Sequence, residues 1–296
     1  MILRNLHHYF INLKIKKMNA KKVWFVTGAS KGLGLALVKK LLENDYYVAA
    51  TSRDKEALEK AVNYFGNNFL PLEVDLINEK SVTKGLAATV EKFGKIDIVV
   101  NNAGYGQAGT LEELSDEESR ENFDVNVFGP LHVIRKVMPY LRENKAGHII
   151  NVSSVGGFMG NFPSFGVYCA TKYALVGLTE ALAAEVESLG IHATVVYPGY
   201  FRTNFLDKGS FKLPKDPIGV YTEARKLEEI HVNQIRGNQA GNPDKAADAF
   251  IAISKQEKPP LHLFLGSDSY LFAKQKIEIV TNELNANEKL AISTDY

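Results

Sequence analysis

The chain has 296 residues, of which 45% are hydrophobic, and its formal net charge at pH 7 is +1. This length and composition suffice for one large domain with a full core, and the balanced charge argues against nucleic acid as a partner. The single cysteine, Cys169, rules out an intrachain disulfide and favours a reducing compartment, so we expect a cytoplasmic protein. The histidines lack metal-ligand spacing, and no apolar run is long enough to span a membrane.

Residues 1–21 form a basic N-terminal extension, in which Arg4 and several lysines are accompanied by no acidic side chain. Apolar residues between Ile2 and Leu13 have the spacing of one helix face. We expect this extension to lie outside the folded domain, as a frayed segment or as the result of a start codon placed before Met18. The alternative is a basic amphipathic segment that contacts a membrane surface or a partner.

The first predicted strand, Val23–Val26, leads into three glycines and then into a helix. The glycines are Gly28, Gly32 and Gly34, and the apolar residues that follow have helical spacing. Unpaired N–H groups at the start of such a helix, together with the helix dipole, attract a pyrophosphate, and glycine lets it approach the backbone. The spacing is G-x-x-x-G-x-G rather than G-x-G-x-x-G, so a plain strand-to-helix turn stays open at this point.

The same turn, from Gly28 to Gly32, also fits G-x-S-x-G, the pattern around the nucleophile of serine hydrolases, with Ser30 as the nucleophile. That fold needs several strands before the nucleophile, whereas here almost nothing precedes it. No histidine stands in the right context to activate Ser30. A serine hydrolase is therefore the weaker interpretation.

Further strands and helices alternate along the chain. Apolar runs predict strands at residues 46–50, 69–74, 97–100, 148–152, 191–196 and 261–265. Helices are predicted between and after them, at residues 54–64, 79–93, 111–141 (one or two), 168–189, from 242 onward and at 267–287. This order indicates an α/β fold, a Rossmann-type doubly wound parallel β-sheet of about seven strands with helices on both faces. We expect one domain over residues 22–266, followed by a C-terminal helix and tail over residues 267–296.

After Thr203 the alternation breaks, and residues 204–221 mix glycine and proline with large apolar side chains. We interpret residues 204–230 as a lid, an irregular flap that continues into a helix to about Ile230; disorder is the alternative. Apolar side chains in and before this segment suggest a hydrophobic pocket, although core or subunit contacts would also explain them: Phe158, Met159, Phe162, Phe165, Phe205, Leu206 and Phe211.

Tyr168 and Lys172 are four residues apart near the start of a predicted helix, so they share one face. An ammonium beside a phenol favours the phenolate, and we expect the pKa of Tyr168 to fall below its ordinary value of about 10. A tyrosine of this kind is a usable acid at neutral pH. Ser154 follows the adjacent predicted strand, where its hydroxyl is placed to hold a carbonyl oxygen. A helix-surface pair and a serine cap are the alternatives for these residues taken singly.

These residues belong to a longer series of motifs. In order, the chain contains Thr27-Gly28-x-x-x-Gly32-x-Gly34, Asp75, Asn102-Ala103-Gly104, Asn126, Ser154, Tyr168-x-x-x-Lys172 and Pro198-Gly199-x-x-x-Thr203. Over about residues 22–265 the chain therefore resembles the short-chain dehydrogenase/reductase family, and within it the hydroxysteroid- and retinol-dehydrogenase-like enzymes. The resemblance implies an NAD(P)-dependent oxidoreductase that interconverts a carbonyl and an alcohol.

The resemblance also implies catalytic roles. Tyr168 gives the proton to the carbonyl oxygen as hydride arrives from the nicotinamide. Lys172 binds the nicotinamide ribose and keeps the tyrosine acidic, and Ser154, rather than Ser153, orients the carbonyl.

The resemblance also implies a role for Asn126, which anchors a water of the proton relay through its backbone carbonyl. Pro130, four residues later, has no N–H to bond that carbonyl; a plain helix break at Gly129-Pro130 is the alternative.

For the cofactor, the resemblance implies that Asp75 contacts the adenine, that Thr203 contacts the nicotinamide amide, and that Asn102 shapes the nucleotide cleft. Caps and turns are the alternatives for these three residues. The full predicted cofactor-binding set is Gly28, Ser30, Lys31, Gly32, Leu33, Gly34, Ser52, Arg53, Asp75, Leu76, Asn102, Ala103, Gly104, Tyr168, Lys172, Pro198, Gly199, Phe201 and Thr203.

The choice between NADP(H) and NAD(H) depends on the end of the second strand. NAD-binding turns carry an acid there, whereas this chain has Ser52 followed by Arg53. An arginine can hold a 2′-phosphate with two parallel hydrogen bonds, and Lys31 in the glycine turn adds a second charge. We therefore expect NADP(H), with NAD(H) as the alternative. Arg53 as a solvated surface residue with no ligand is the alternative to its role in binding the 2′-phosphate.

The sequence thus predicts an NADP(H)-dependent carbonyl reductase or alcohol dehydrogenase that acts on a small, fairly hydrophobic molecule. The family favours dimers and tetramers, so we expect a homodimer or homotetramer. A cofactor-binding sensor without catalysis is a further alternative, disfavoured by the complete set of Asn126, Ser154, Tyr168 and Lys172. Cys169 is expected to be a small buried residue.

Overall fold

The computed structural model describes residues 21–296, so the expectation for the N-terminal extension falls, up to residue 20, outside the described part of the chain. The strands are β1 (Val23–Val26), β2 (Tyr47–Ser52), β3 (Phe69–Glu73), β4 (Ile98–Asn101), β5 (Gly106–Gln107), β6 (Gly147–Val152), β7 (Ile191–Pro198), β8 (Phe211–Lys212) and β9 (His262–Leu265).

Seven of these strands form one wholly parallel sheet in the order β3-β2-β1-β4-β6-β7-β9. The chain builds the sheet outward in one direction from β1 and then in the other from β4, which is the doubly wound arrangement. The predicted α/β fold is therefore confirmed. Each predicted strand of this sheet is present, with its ends displaced by at most two residues.

The helices are α1 (Gly32–Glu43), α2 (Lys55–Val62), α3 (Glu79–Phe93), α4 (Asp116–Phe123), α5 (Gly129–Asn144), α6 (Gly166–Val186), α7 (Thr222–Glu229), α8 (Pro243–Ile253) and α9 (Ser267–Ile292). Short π-helical segments, Asp124–Phe128 and Ile230–Ile235, join α4 to α5 and extend α7. α9 runs five residues beyond its predicted end at residue 287, and its side chains from Ile277 onward are exposed.

β1 is buried on both faces of the sheet, which explains its run of four apolar residues. Trp24 and Val26 pack with α1 and α8 on one face. Val23 and Phe25 pack with α3 and α5 on the other. Because helices cover both faces, the carboxyl ends of the strands are where the sheet can meet a ligand.

The predicted lid, residues 204–230, is more regular than expected. β8 pairs with β5, and the Gly106 N–H to Ser210 carbonyl and Ala108 N–H to Lys212 carbonyl hydrogen bonds, both 2.8 Å, flank the pair. α7 and its π-helical extension then carry the helix to Ile235, beyond the expected end near residue 230. Strands of two residues have no periodicity, so the sequence could not indicate this pairing. Within residues 21–296, no helix is both long and apolar enough to cross a membrane.

Candidate active site

A cavity of about 800 Å³ opens at the carboxyl ends of the strands of the large sheet. The segments after β1, β2, β3, β4, β6 and β7 contribute its walls, together with the lid. Every residue predicted for the site lines this cavity apart from Gly34 and Asn126, which are buried behind its wall. The polar residues that follow separate strands thus converge on one cavity, as the geometry of a parallel sheet requires.

The glycine turn after β1 forms one end of the cavity. Gly28 has a φ of 65°, and a Cβ added to it would lie 2.6 Å from the Cα of Ala103, so this position requires glycine. α1 begins after Lys31, and among the described residues no side chain caps its first N–H groups. Its first turn also carries no acidic residue. These N–H groups and the helix dipole together form a site for an anion.

Asn102 and Thr27 hold the glycine turn against β4. The Asn102 Nδ2 donates to the carbonyls of Thr27 and Gly28, at 3.0 Å in both cases. The Thr27 hydroxyl accepts from the N–H groups of Asn102 and Ala103, at 3.1 Å in both cases. A Cβ at Gly34 would lie 2.5 Å from the Asn102 Nδ2. Asn102 therefore shapes the cleft through the backbone of the turn, and Gly34 leaves room for Asn102 instead of facing the cavity.

The turn after β2 presents Ser52 and Arg53 to the cavity. The Ser52 hydroxyl accepts from the Asp54 N–H at 3.2 Å, and Asp54 caps α2 by accepting from the Ala57 N–H at 2.9 Å. Arg53 is exposed and forms no hydrogen bond or ion pair in the part of the chain that the structure describes. Its guanidinium is therefore free to meet a ligand at this end of the cavity.

Asp75 and Thr203 were each given a second interpretation, as the cap of the segment that follows, and the structure supports it only for Thr203. α3 is capped by Asn78, which accepts from the N–H groups of Lys80 and Ser81 at 3.1 and 3.3 Å, so the interpretation of Asp75 as that cap is wrong. The side chain of Asp75 accepts only the nearby Ile77 N–H, at 3.2 Å, among the described residues. Thr203 does act as a cap, because its hydroxyl accepts from the Phe205 N–H at 3.3 Å where the lid begins. Both side chains line the cavity.

Ser154, Tyr168 and Lys172 meet at one side of the cavity. The Ser154 hydroxyl is close enough to Tyr168 to act on the pKa of the phenol, and the Lys172 Nζ lies 5.8 Å from the centre of the Tyr168 ring. The Lys172 ammonium also donates to the Val152 carbonyl at 3.0 Å, at the end of β6. β6 and α6 thus hold a hydroxyl, a phenol and an ammonium together.

Burial is the main cause of the pKa shifts of Lys172 and Tyr168. Burial lowers the pKa of Lys172 to about 8. It raises the pKa of Tyr168 above its ordinary value, although the neighbouring Ser154 hydroxyl acts in the opposite direction. The expected lowering of the Tyr168 pKa is therefore wrong for the protein alone, because desolvation of the phenolate is the largest effect on it. Cys169 is buried, and burial raises its pKa to about 12, so it is an inert thiol.

The two serines after β6 have different surroundings. The Ser153 hydroxyl is buried and donates to the Lys172 carbonyl at 2.9 Å. The Ser154 hydroxyl lines the cavity and accepts from the Gly156 N–H at 3.1 Å. Adjacent residues in extended backbone point to opposite sides, which places Ser154 rather than Ser153 beside Tyr168.

Asn126 is fully buried in the π-helical segment Asp124–Phe128. Its Oδ1 accepts from the Tyr105 N–H at 3.0 Å, and its Nδ2 donates to the Tyr105 carbonyl at 3.0 Å and to the Thr171 hydroxyl at 3.1 Å. The side chain therefore ties α6 to the segment after β4, a contact that the sequence did not indicate. Pro130 stands in the first turn of α5, so the helix continues through it instead of breaking.

Part of the cavity wall is apolar. Five of the predicted pocket residues line it, namely Phe162, Phe165, Phe205, Leu206 and Phe211. Phe158 belongs instead to the core, where its ring centre lies 5.8 Å from Tyr197 and 5.1 Å from Phe264. Met159 is likewise buried away from the cavity.

Tyr200 and His231 form a polar pair in this apolar wall that the sequence analysis missed. The His231 Nδ1 donates to the Leu227 carbonyl at 2.8 Å, so its Nε2, 2.9 Å from the Tyr200 hydroxyl, accepts from that hydroxyl. Burial lowers the pKa of His231, which keeps this arrangement at neutral pH. The position of Tyr200 directly after Pro198-Gly199 was an available signal, whereas His231 lies in the lid without any motif.

A family model described as short chain dehydrogenase matches residues 22–211. Oxidoreductase BOA17 of Botryotinia fuckeliana is 34% identical over 267 residues, which cover 88% of this chain and 94% of that protein. A 3-ketodihydrosphingosine reductase of Bacteroides thetaiotaomicron is 34% identical over 258 residues, covering 86% of this chain and 92% of the relative. A 17-beta-hydroxysteroid dehydrogenase type 1 of Homo sapiens is 32% identical over 257 residues, which cover 83% of this chain and 77% of that protein.

Solved structures agree with these relatives. A short-chain dehydrogenase from Streptomyces avermitilis superposes with a TM-score of 0.84 at 35% identity, covering 93% of this chain and 99% of that one. A 3-ketoacyl-(acyl-carrier-protein) reductase from Brucella melitensis, complexed with NADH, has a TM-score of 0.67 at 28% identity, with 82% and 96% covered. An alcohol dehydrogenase from Thermococcus sibiricus, complexed with 5-hydroxy-NADP, has a TM-score of 0.66 at 26% identity, with 83% and 96% covered. The chain therefore belongs to the short-chain dehydrogenase/reductase family and is an NAD(P)-dependent oxidoreductase.

Proposed function

We propose that this protein is an NADP(H)-dependent oxidoreductase that interconverts a hydrophobic ketone or aldehyde and its alcohol, with Tyr168 as the acid and base. The observation that carries the proposal is one cavity that joins Ser154, Tyr168 and Lys172 to the uncapped start of α1. The names of two relatives, a 3-ketodihydrosphingosine reductase and a 17-beta-hydroxysteroid dehydrogenase, support a carbonyl or alcohol substrate. The aromatic wall supports an apolar one.

The residues present fit a nicotinamide cofactor, because the cavity offers the N–H groups at the start of α1, which no described side chain caps, for a pyrophosphate, and Arg53 as a nearby cation. When bound, the cofactor supplies or accepts the hydride. Arg53, which lacks a partner among the described residues, supports NADP(H) over NAD(H). The contacts that we propose are those of Gly32 and Leu33 with the pyrophosphate, Asp75 with the adenine, Lys172 with the ribose, Thr203 with the nicotinamide amide, and Arg53 and Lys31 with the 2′-phosphate.

Tyr168 is the proposed proton donor in the reductive direction. Its raised pKa keeps the phenol protonated at neutral pH, beside the hydroxyl of Ser154. The proton passes from the Tyr168 Oη to the carbonyl oxygen of the substrate, which the Ser154 hydroxyl holds by a hydrogen bond. Lys172, with a pKa of about 8, is charged at neutral pH and stabilises the phenolate that remains.

A panel of ketones and aldehydes of increasing apolar size, followed by the absorbance of NADPH, tests the proposal. We expect turnover of apolar members and retained NADPH binding. Binding of NADPH without turnover of any member would instead indicate a sensor, and faster turnover with NADH would indicate the NAD(H) alternative. Ser30, the hydrolase candidate, forms no hydrogen bond with a histidine within residues 21–296, so we expect no ester hydrolysis.

We further propose a catalytic domain at residues 22–266, with a lid at about 204–230, a C-terminal helix and tail at 267–296, and residues 1–21 outside the domain. Membership of the family and the exposed apolar side chains of Ile277, Val280 and Leu284 in α9 support a homodimer or homotetramer. Light scattering on the purified chain tests the oligomeric state. The single cysteine supports a cytoplasmic location, which imaging of a tagged chain tests.

A further inference from the structure

An ion-pair network of one partly buried arginine and two buried carboxylates connects the lid to the rest of the domain. The Arg225 Nη2 in α7 donates to the Glu113 Oε1 and Oε2 at 2.9 and 2.7 Å, and the Arg225 Nη1 lies 3.0 Å from the Glu228 Oε2. The side chains of Glu113 and Glu228 are 0% and 8% exposed. One guanidinium is thus shared by two buried carboxylates.

Each carboxylate is also bonded to another part of the chain. Glu113 accepts from the N–H groups of Thr110 and Ile218, both at 2.7 Å, and Glu228 accepts from the hydroxyl of Ser164. Burial by itself raises the pKa of Glu113, but these N–H groups and Arg225 hold it below its ordinary value, so Glu113 is charged at neutral pH. Arg225 therefore joins three segments: residues 109–114 after β5, residues 162–165 before α6, and the lid.

Ser164 links the ion-pair network to the wall of the cavity, because it is bonded to Glu228 and lies between two residues of that wall. Its φ is 70°, an uncommon conformation for serine, and its hydroxyl accepts from the Gly109 N–H at 2.9 Å. Phe162 and Phe165, on either side of Ser164, line the cavity. The Phe165 ring stacks on Phe211 of β8, with ring centres 5.8 Å apart. The position of these aromatic rings therefore depends on the network behind them.

We propose that Arg225 is a positioning residue that holds the lid and residues 162–165 in one arrangement, and that it thereby sets the size of substrate that the cavity accepts. The inference rests on the proposed function, because a size preference has meaning only for a carbonyl or alcohol substrate. Burial raises the pKa of Glu228 even beside Arg225. Without Arg225, the two buried carboxylates lose their shared cation, and they take up a proton, separate or admit water. The aromatic wall then loses its fixed position, and the cavity admits bulkier substrates.

Arg225→Met tests the proposal, because methionine keeps much of the apolar stem and removes the charge. Lys226→Met is the matched control, since Lys226 is the next residue of α7 and its ion pair with Glu223 is exposed. We expect backbone hydrogen exchange in residues 109–114, 162–165 and 204–235 to become about tenfold faster in Arg225→Met. The kcat/KM ratio of a small to a bulky apolar ketone should fall about tenfold through KM, with NADPH affinity unchanged. Lys226→Met should match the wild type in all three measurements.

Glu228→Gln is a second variant, for the case that Arg225→Met fails to fold. Glutamine keeps the shape of the side chain but removes the charge that pairs with the Arg225 Nη1 and accepts from the Ser164 hydroxyl, so we expect the same changes at smaller size. Unchanged exchange and an unchanged substrate ratio in the folded variants would overturn the proposal. If the wild type reduces no carbonyl while exchange responds to Arg225→Met, the proposed function fails and the positioning role of Arg225 stands.

Discussion

The ammonium of Lys172 donates a hydrogen bond to the carbonyl of Val152 at 3.0 Å, and this contact ties α6 to the last residue of β6. Ser154 follows Val152 by two residues, and Tyr168 precedes Lys172 by about one helical turn. The contact therefore sets the position of the phenol relative to the Ser154 hydroxyl. Orientation of this kind is what a proton transfer to a bound carbonyl requires.

Tyr168→Phe removes the hydroxyl that delivers the proton and leaves the ring in place. We expect the rate of carbonyl reduction to fall at least ~100-fold, which is the lower end of the rate contribution of general acid catalysis, while NADPH still binds. Steady-state kinetics on an active substrate, together with NADPH titration, check this outcome. Near-normal turnover of the variant would remove Tyr168 from the mechanism.

Lys172 also makes stability depend on pH. Burial lowers its pKa from 10.5 to about 8, so between these values the folded protein binds fewer protons than the unfolded chain. Stability from this group therefore rises with pH across that window, and its burial is most unfavourable below pH 8. Relative to Lys172→Met, the wild type should gain up to about 3 kcal/mol in the free energy of unfolding from neutral to high pH.

Urea unfolding of the wild type and Lys172→Met at about pH 7 and about pH 10 measures this change. Comparison with the variant cancels the other groups that titrate in the same range. An equal difference between the two proteins at both pH values would show that the ammonium of Lys172 is not desolvated.

Arg53→Ala removes the guanidinium that we assign to the 2′-phosphate of NADPH. A charged hydrogen bond is worth about 1.5–3 kcal/mol, so NADPH binding should weaken roughly 10- to 150-fold while NADH binding changes little. Lys55→Ala is a suitable control, because Lys55 lies two residues away in an exposed pair with Glu59. Equal wild-type affinity for NADH and NADPH, or equal loss of both in Arg53→Ala, would contradict the NADP(H) assignment.

A chain that starts at Met18 tests the N-terminal extension. We expect it to keep the thermal transition and the turnover of the full chain, because residues 1–17 precede the first strand and match none of the family motifs. Differential scanning calorimetry and the carbonyl assay compare the two proteins. A lost transition or lost turnover would show that the extension packs on the domain.

The sequence was sufficient to predict about seven parallel strands and their places along the chain, the glycine turn, and the convergence of Ser154, Tyr168 and Lys172. Each depends on a local pattern: apolar runs for buried strands, a four-residue spacing for one helix face, and strand ends that meet at one edge of a parallel sheet. Gly28 illustrates the reason, since its positive φ belongs to a turn that the spacing of the neighbouring glycines already marks.

Only the tertiary structure decided the direction of the Tyr168 pKa, the pairing of β5 with β8 and the Tyr200–His231 contact. Glu113 and Arg225 are 112 residues apart, and neither stands in a motif. A spacing in the sequence can show that a phenol and an ammonium share a helix face, but not how much water the rest of the chain leaves around them. Desolvation and long-range pairing depend on the packing of the whole domain, and they determine both the protonation of Tyr168 and the position of the lid.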